Sequence, residues 1–324
     1  MKLSRQFCLL MVAVALVGVV GCGQKTPTPD QAIMEVMNGL SQNKPEAAWN
    51  FLPASYQTDV NGLVADFAGK MDAEIWAKGA SVVQKLVNVL KTKKDFILSN
   101  QMVKANPAMA MAGPDAAKKL AENWDGILEF LNIVATSELA DLEKMKTLDV
   151  GAFIAGTGGK LMNQAAALSA MVPDDPYNTK VKKLGETKVT VLSSDATTAK
   201  VKVEVPGEDA EETDMVLVEG KWLPKEIADE WQEKIAEAKK GIAEIKPEDM
   251  AKQKPQVMAM LTMVEGTLDQ LAAAKTQQEF DATAQQAMGS IMGAAMMMGG
   301  GMGGGPAPAP QTGPAPAPKT APAK

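Results

Sequence analysis

A strict two-residue alternation from Ala199 to Val205 is the sequence feature that most constrains the fold. Alanine and valine alternate there with lysine and glutamate, so one face of the segment is apolar and the other is charged. This pattern is typical of an antiparallel strand that packs on one face and meets water on the other. Similar strand-like runs lie just before and after it, separated by short turns. The sequence therefore predicts a small antiparallel meander sheet at about 187–223.

Helical periodicity covers most of the chain on both sides of this sheet. Apolar residues recur three and four positions apart, as they do on one face of an amphipathic helix. Asp30 is predicted to cap the first helix, and Pro45 stands where the second would begin. A helix break is expected near Gly156–Gly159. We therefore expect an α+β fold that is mainly helical, with one folded domain over residues 30–293.

The N-terminus has the parts of an export signal. Two basic residues precede an apolar run from Phe7 to Val17, which is too short to span a bilayer comfortably. The run is followed by Val19-Val20-Gly21-Cys22, which resembles the lipobox of bacterial lipoproteins. The resemblance implies that residues 1–21 are a signal peptide that is removed. It also implies that Cys22 becomes the acylated first residue of the mature chain.

Acylation of Cys22 would make the lipid bilayer a partner of this protein, with residues 22–29 as a lipidated tether. Cys8 lies inside the apolar run, so Cys22 is the only thiol left after cleavage, and a free thiol would be reactive in an oxidising compartment. Two or three acyl chains anchor a protein stably. An aspartate after the cysteine would favour the inner membrane. Gly23 therefore favours the outer membrane, and we expect an exported protein of the cell envelope.

Charge and composition exclude several classes of function. Without Lys2 and Arg5 the chain keeps 31 basic against 39 acidic residues, a net charge of −8, which argues against nucleic acid as a partner. Histidine is absent, which removes the usual general base, the commonest zinc ligand and the Ser-His-Asp nucleophile system. No motif indicates a cofactor. The first prediction is therefore a non-catalytic binding or structural module at the envelope.

The C-terminal residues 294–324 have low complexity. They are rich first in glycine and methionine and then in proline and alanine. Such a segment cannot bury enough apolar surface to offset the entropy of folding. The sequence therefore predicts a disordered tail, and an extended Pro/Ala segment could contact the cell wall or another envelope protein.

Two parts of the chain resemble the α+β cone fold of the nuclear-transport-factor-2-like superfamily. Residues 32–53 are similar to that family's first helices, and 199–203 with 215–222 are similar to its closing strand pair, which often ends in a Gly-Lys-Trp turn. The resemblance implies a cone with an internal pocket. An alternative function is therefore a pocket enzyme that uses a carboxylate or Tyr56. More than a hundred mostly helical residues lie where the family places strands, and without histidine no catalytic residue is carried over.

Methionines near the C-terminus suggest a second alternative, a Cu(I)-handling lipoprotein. Met288, Met292 and Met296 are spaced four residues apart, which places them on one side of a helix. Thioethers are soft ligands suited to Cu(I). Methionine also fills apolar helix faces without any metal, and this chain contains 22 of them. We predict the packing role and no bound metal.

Other polar segments lack the details that a functional site requires. Gly151–Lys160 lacks the first glycine of a phosphate-binding loop, because Ile154 stands there, and Leu161 replaces its Ser/Thr. Asp174–Asn178 lacks the rest of an EF-hand. Ser55–Asp59 is interpreted as the cap of the following helix, with a ligand cleft as the alternative. The acidic groups interpreted as solvated surface are Asp72, Glu74 and residues 208–212.

Overall fold

The computed structural model describes residues 27–105, 115–170 and 176–299, and it describes the side chains of these residues except for 176 and 290–299. The predicted signal peptide, Cys22 and the Pro/Ala segment lie outside the described residues. No helix in the described part of the chain is long and apolar enough to cross a membrane.

Helices make up most of the described chain, as the periodicity predicts. They are α1 (Pro29–Ser41), α2 (Glu46–Asn50), α3 (Ala54–Lys70), α4 (Ala73–Thr92), α5 (Lys94–Ser99), α6 (Gln101–Lys104), α7 (Ala116–Glu122), α8 (Trp124–Ala135), α9 (Leu142–Lys146), α10 (Val150–Phe153), α11 (Gly159–Ser169), α12 (Pro176–Gly185), α13 (Lys225–Glu244), α14 (Pro247–Ala273) and α15 (Gln277–Gly299). A 3₁₀ helix (Glu138–Ala140) connects α8 to α9. The backbone of α15 stays helical to Gly299, so the tail predicted from residue 294 begins as helix.

Four antiparallel strands form one sheet in the order β1-β2-β3-β4. They are β1 (Lys188–Ser194), β2 (Thr198–Glu204), β3 (Glu211–Val218) and β4 (Lys221–Pro224). The meander lies within the predicted range except that β4 extends to Pro224. The α+β fold class predicted from the sequence is confirmed.

The alternation in β2 determines which side of the sheet packs against helices. Ala199, Val201 and Val203 are buried, and Val205 just after the strand is buried as well. The lysines and glutamate between them point to the other side, where Lys202 pairs with Glu204 at 2.8 Å. One face of the strand is therefore apolar and packed, as predicted.

A first core fills the space between this sheet and the helices α1, α2 and α13. Trp49 and Leu223 have no solvent exposure, and Val36 and Met215 are nearly as deeply buried. Close packing of these side chains holds α1 and α2 against the sheet. The first 25 described residues and the sheet therefore form one body despite the long helical segment between them in sequence.

The start of α1 differs from the prediction that Asp30 caps it. The helix begins at Pro29, with Thr28 as the cap residue and Asp30 in the first turn. The Thr28 N–H donates to Oε1 of Gln31 at 3.1 Å. Proline suits the first helical position because it has no N–H to leave unpaired. The cap therefore lies two residues earlier than the position expected from Asp30.

The prediction of a helix break near Gly156–Gly159 is also wrong. Residues Ile154–Gly158 form a π-helical turn that joins α10 to α11 without interruption. Thr157 in this turn is buried, and its hydroxyl donates to Oε2 of Glu138 at 3.1 Å. A π turn absorbs one extra residue while the helix continues. The glycines therefore allow a local widening of the helix.

A second, smaller core lies between α4, α14 and α15. Its buried members are Val89, Leu268, Ala274 and Phe280, and the Phe280 ring packs on Phe96 with centroids 5.8 Å apart. A separate small cluster of Ala68, Leu142 and Met145 packs α3 against α9. These helices are thus held by little buried apolar surface.

Ion pairs supply much of the remaining contact between α4 and α14. Glu265 on α14 pairs with Lys78 and accepts from the Ser81 hydroxyl at 2.9 Å. Lys85 lies 3.1 Å from Glu265 and 2.6 Å from Asp269. We call these five side chains the ionic seam. Hydrogen bonds from Lys78, Lys85 and Ser81 lower the pKa of Glu265 from 4.5 to about 2.

Asp72 and Glu74 extend the contact between these two helices. Asp72 caps α4 by accepting the N–H groups of Glu74 and Ile75, both at 3.0 Å. Lys254 on α14 lies 2.9 Å from Asp72 and 2.7 Å from Glu74. The Ile75 N–H and then Lys254 lower the pKa of Asp72. Both carboxylates reach the surface, as the sequence predicts, and the structure adds their pairing with Lys254.

Candidate functional site

An open cleft of about 480 Å³ lies between α4 and the segment 135–144. Ala73, Trp76, Ala77 and Gln84 form the wall on α4. The opposite wall is built by the end of α8, the 3₁₀ helix and the start of α9. We call this space the Trp76 cleft. Its volume is in the range of small-molecule sites.

Trp76 connects the two walls of the cleft. Its Nε1–H donates to the carbonyl oxygen of Leu139 at 2.9 Å, and its ring meets Phe67 edge-on with centroids 6.3 Å apart. Trp76 is half-buried, and an indole that has both an aromatic neighbour and a hydrogen-bond acceptor is held in one orientation. The small side chains of Ala73 and Ala77 leave open the space beside the ring. The cleft therefore has a rigid aromatic end and a shallow apolar floor.

Polar groups occupy the rim of the opposite wall. Asp141 accepts the N–H groups of Glu143 and Lys144 at 3.0 and 3.3 Å, and so caps α9. The Ser137 hydroxyl donates to the carbonyl of Val134 at 2.8 Å. From the α4 wall, the Gln84 amide donates to the carbonyl of Ala135 on this rim at 3.5 Å, which is long for a hydrogen bond. The Gln84 amide is therefore the polar group of the cleft that a ligand would recruit most easily.

These walls suit binding better than acid–base chemistry. Charged groups at the mouth are paired with one another, since Glu143 lies 2.6 Å from Lys146 and Asp141 lies 3.9 Å from Lys144. The alanines and Trp76 offer apolar contact, and Gln84 offers an amide. A ligand with an apolar body and a neutral polar end would match these groups.

Tyr56, the aromatic candidate in the sequence, is part of an aromatic stack. Its ring lies on Trp231 with centroids 4.0 Å apart and planes 6° from parallel. The Trp231 Nε1–H donates to Oδ2 of Asp59 at 3.0 Å. Burial, followed by the charge of Glu219 and other carboxylates, raises the pKa of Tyr56. This group joins α3 to α13.

The cap of α3 comes from a distant turn, so the prediction that Ser55–Asp59 caps this helix is wrong. Glu219 and Gly220 have φ values of 49° and 77°, the conformation of a type I′ turn between β3 and β4. Oε2 of Glu219 accepts the Ser55 N–H at 3.1 Å, and hydrogen bonds from Ser55 lower the pKa of Glu219. A carboxylate at a helix N-terminus is stabilising. The sequence gives one indication of this distant cap: α3 begins after Pro53, which has no side chain that could cap the helix.

Most of the remaining sequence candidates lie outside the side chains that the structure describes. The Met288 side chain is 49% exposed, and the side chains of Met292 and Met296 lie outside those that the structure describes. Asp174 and Asp175 are outside the described residues as well. Among described residues, no group of three or more His, Cys, Asp or Glu side chains is placed to hold a metal ion.

The phosphate-loop candidate and the acidic loop also have structural roles. Gly151–Lys160 lies within continuous helix, so it forms no loop around a phosphate. Glu208 lies 3.8 Å from Lys183, and Glu212 lies 3.2 Å from Lys200 across the sheet. These acidic side chains are on the surface, as predicted, and are paired with lysines.

Comparison with known proteins adds no further constraint. No protein family, no curated protein and no solved structure matches this chain.

Proposed function

We propose that this chain is an exported, lipid-anchored protein of the bacterial envelope that acts as a non-catalytic binding module. The observation that carries the proposal is Cys22, the only cysteine after the apolar run, at the last position of a lipobox-like sequence. The folded chain begins shortly after it, with Pro29 already buried against the first core. An acylated Cys22 would hold the folded part beside a membrane.

Two features of the interior favour binding over a pocket enzyme. The side chains of Trp49, Val36 and Leu223 fill the space between the sheet and the helices. Tyr56 is stacked on Trp231 beside them. The Trp76 cleft lies outside this core and offers an apolar floor with a polar rim. We therefore assign the binding role to this cleft.

Substitution of the two cysteines tests the anchor. Cys22→Ser removes the thiol that receives the lipid, so the variant should remain unprocessed or leave the membrane fraction. Cys8→Ser is the matched control, because it also removes one thiol but lies in the apolar run, and it should be processed and acylated normally. Intact-mass spectrometry and membrane fractionation measure both. Wild-type protein with an unmodified, soluble N-terminus after export would contradict the proposal.

Filling the cleft tests the binding role. Small amphiphilic fragments should shift the amide resonances of Ala77 and Thr136 in the wild-type protein. Ala77→Leu should abolish these shifts, because the larger side chain occupies the floor of the cleft. Ala152→Leu, an equal change at an exposed helical position, should leave them intact. Equal shifts of these amide resonances in both variants would show that the fragments do not bind in the Trp76 cleft.

A further inference from the structure

The place where the chain enters the fold is fixed. Pro27 borders a small crevice with Asn50 and Lys221, between the start of α1, the end of α2 and the start of β4. The chain then enters α1, where Pro29 and Ala32 are buried. Movement of this point would require α1 to leave the first core. Any tether that precedes Pro27 therefore begins at one defined end of the molecule.

The tether to Cys22 is short compared with the folded part. Cys22 and Pro27 are five residues apart, and five residues span at most about 18 Å when fully extended. A compact chain of this size has a radius of gyration of about 18 Å, so its width is more than twice the length of the tether. A protein held in this way cannot present every side to the membrane. The side where the tether emerges must stay close to the lipid.

We propose that the end of the fold that contains Pro27, Asn50 and the turn Glu219–Lys221 faces the lipid headgroups. This inference rests on the proposed acylation of Cys22. The partner is the headgroup layer of a bilayer, which accepts hydrogen bonds at phosphate oxygens. The Asn50 amide and the Lys221 ammonium border the crevice and can donate such bonds. We call this end the membrane-facing end.

The surface at this end carries charges of both signs. The Glu219 carboxylate accepts the Ser55 N–H, and Lys221 and Glu35 both border the crevice. Asp30 lies in the first turn of α1, and the neutral amide of Gln31 is on the exposed side of the helix. The short tether, and not the charge of this end, therefore places it beside the lipid.

Labels at two matched asparagines test the orientation. Asn50 borders the crevice, and Asn88 is an exposed asparagine on α4 beside Val89 of the second core. Asn50→Cys and Asn88→Cys each add one free thiol, because Cys8 leaves with the signal and the Cys22 sulfur is a thioether. A fluorophore on each thiol is then quenched by nitroxide-headgroup lipid in phosphatidylcholine vesicles that carry the full mature, acylated protein.

We expect the label at Asn50→Cys to be quenched at least about twofold more strongly than the label at Asn88→Cys. A flexible Gly/Ser insertion of about twenty residues after Gly23 should reduce this difference, because a long tether lets the protein turn. Equal or stronger quenching at Asn88→Cys in protein that floats with the vesicles would overturn the orientation alone. Protein that does not float and lacks the mass of the lipid would overturn the proposed function, and the orientation with it.

Discussion

The two cores of this protein are built in different ways. The first core contains 18 buried apolar residues of the described chain, from α1, α2, the sheet and the start of α13. The second contains four, and the contact between α4 and α14 depends on the ionic seam and on Lys254 as well. Apolar burial contributes about 25 cal/mol per Å², whereas an exposed ion pair contributes about 0–1 kcal/mol. The comparison indicates that the second core opens at a lower free energy than the first.

The largest expected effect is a charge placed in the first core. Val203 is 3% exposed and lies next to the last residue of β2. Val203→Asp would bury a carboxylate without a partner, at a cost of several kcal/mol against a total stability of about 5–15 kcal/mol. We expect the sheet and its helices to unfold, as measured by circular dichroism during heating. Leu192→Asp, on the exposed side of β1, is the control and should melt near the wild-type temperature. Similar melting of both variants would mean that β2 does not pack as described.

A smaller and local effect is expected from the second core. Phe280 is 4% exposed and packs on Phe96. Phe280→Ala should cost about 3 kcal/mol, as truncation of a buried aromatic residue usually does. Because the first core shares no residue with this cluster, amides of α14 and α15 should lose protection from hydrogen exchange while those of β2 keep theirs. Equal loss in β2 would show that the two cores unfold together.

The smallest expected effect concerns the ionic seam and pH. The folded-state pKa of Glu265 is about 2, below its ordinary value of 4.5. A carboxylate with a lowered pKa stabilises the folded state above pH 4.5, and this contribution is lost as the pH falls from 4.5 to 2. Urea unfolding of the second core should therefore become easier over that range.

The Glu265→Gln variant distinguishes the contribution of the ionic seam to stability from the general destabilisation of the protein by acid. The amide cannot ionise, so the variant should be less stable than wild type at pH 6 and should lose less stability between pH 4.5 and 2. Glu248→Gln, at an exposed position of the same helix, should follow the wild-type curve. If the stability of Glu265→Gln varied with pH in parallel with that of wild type, the ionic seam would not contribute to the pH dependence of stability.

The sequence predicts the first core well because its signals are local. The alternation in β2 can be observed within seven residues, and it predicts which side chains are buried. The apolar spacing of Ile33, Met34, Met37 and Leu40 in α1 predicts one packed face, and all but the half-buried Met34 are buried. Errors occur at boundaries, where Thr28 replaces Asp30 as the cap. A second error occurs at Gly156–Gly159, where a π turn replaces the expected break. Glycine-rich residues allow either a break or a π turn, so the sequence alone does not distinguish the two.

The candidate sites were harder to predict because they depend on contacts between distant parts of the chain. Lys254 and Asp72 are 182 residues apart, and no local pattern indicates that they pair. The cap of α3 by Glu219 joins residues 164 positions apart. The Trp76 cleft exists only because α4 packs beside the 3₁₀ helix. Periodicity indicates that a helix has an apolar face but does not indicate which partner covers it.

Hydrogen exchange of the wild-type protein at two salt concentrations tests the central comparison most directly. Raising the ionic strength from about 0.1 to 1 M shortens the Debye length from about 10 to 3 Å, which weakens the ion pairs that reach solvent, such as Lys85–Asp269, and leaves apolar packing in place. We predict that amides of α14 exchange faster than those of β2 at low salt, and that high salt accelerates exchange in α14 alone. Equal exchange in the two segments, with the same response to salt, would contradict the existence of two separately stabilised cores.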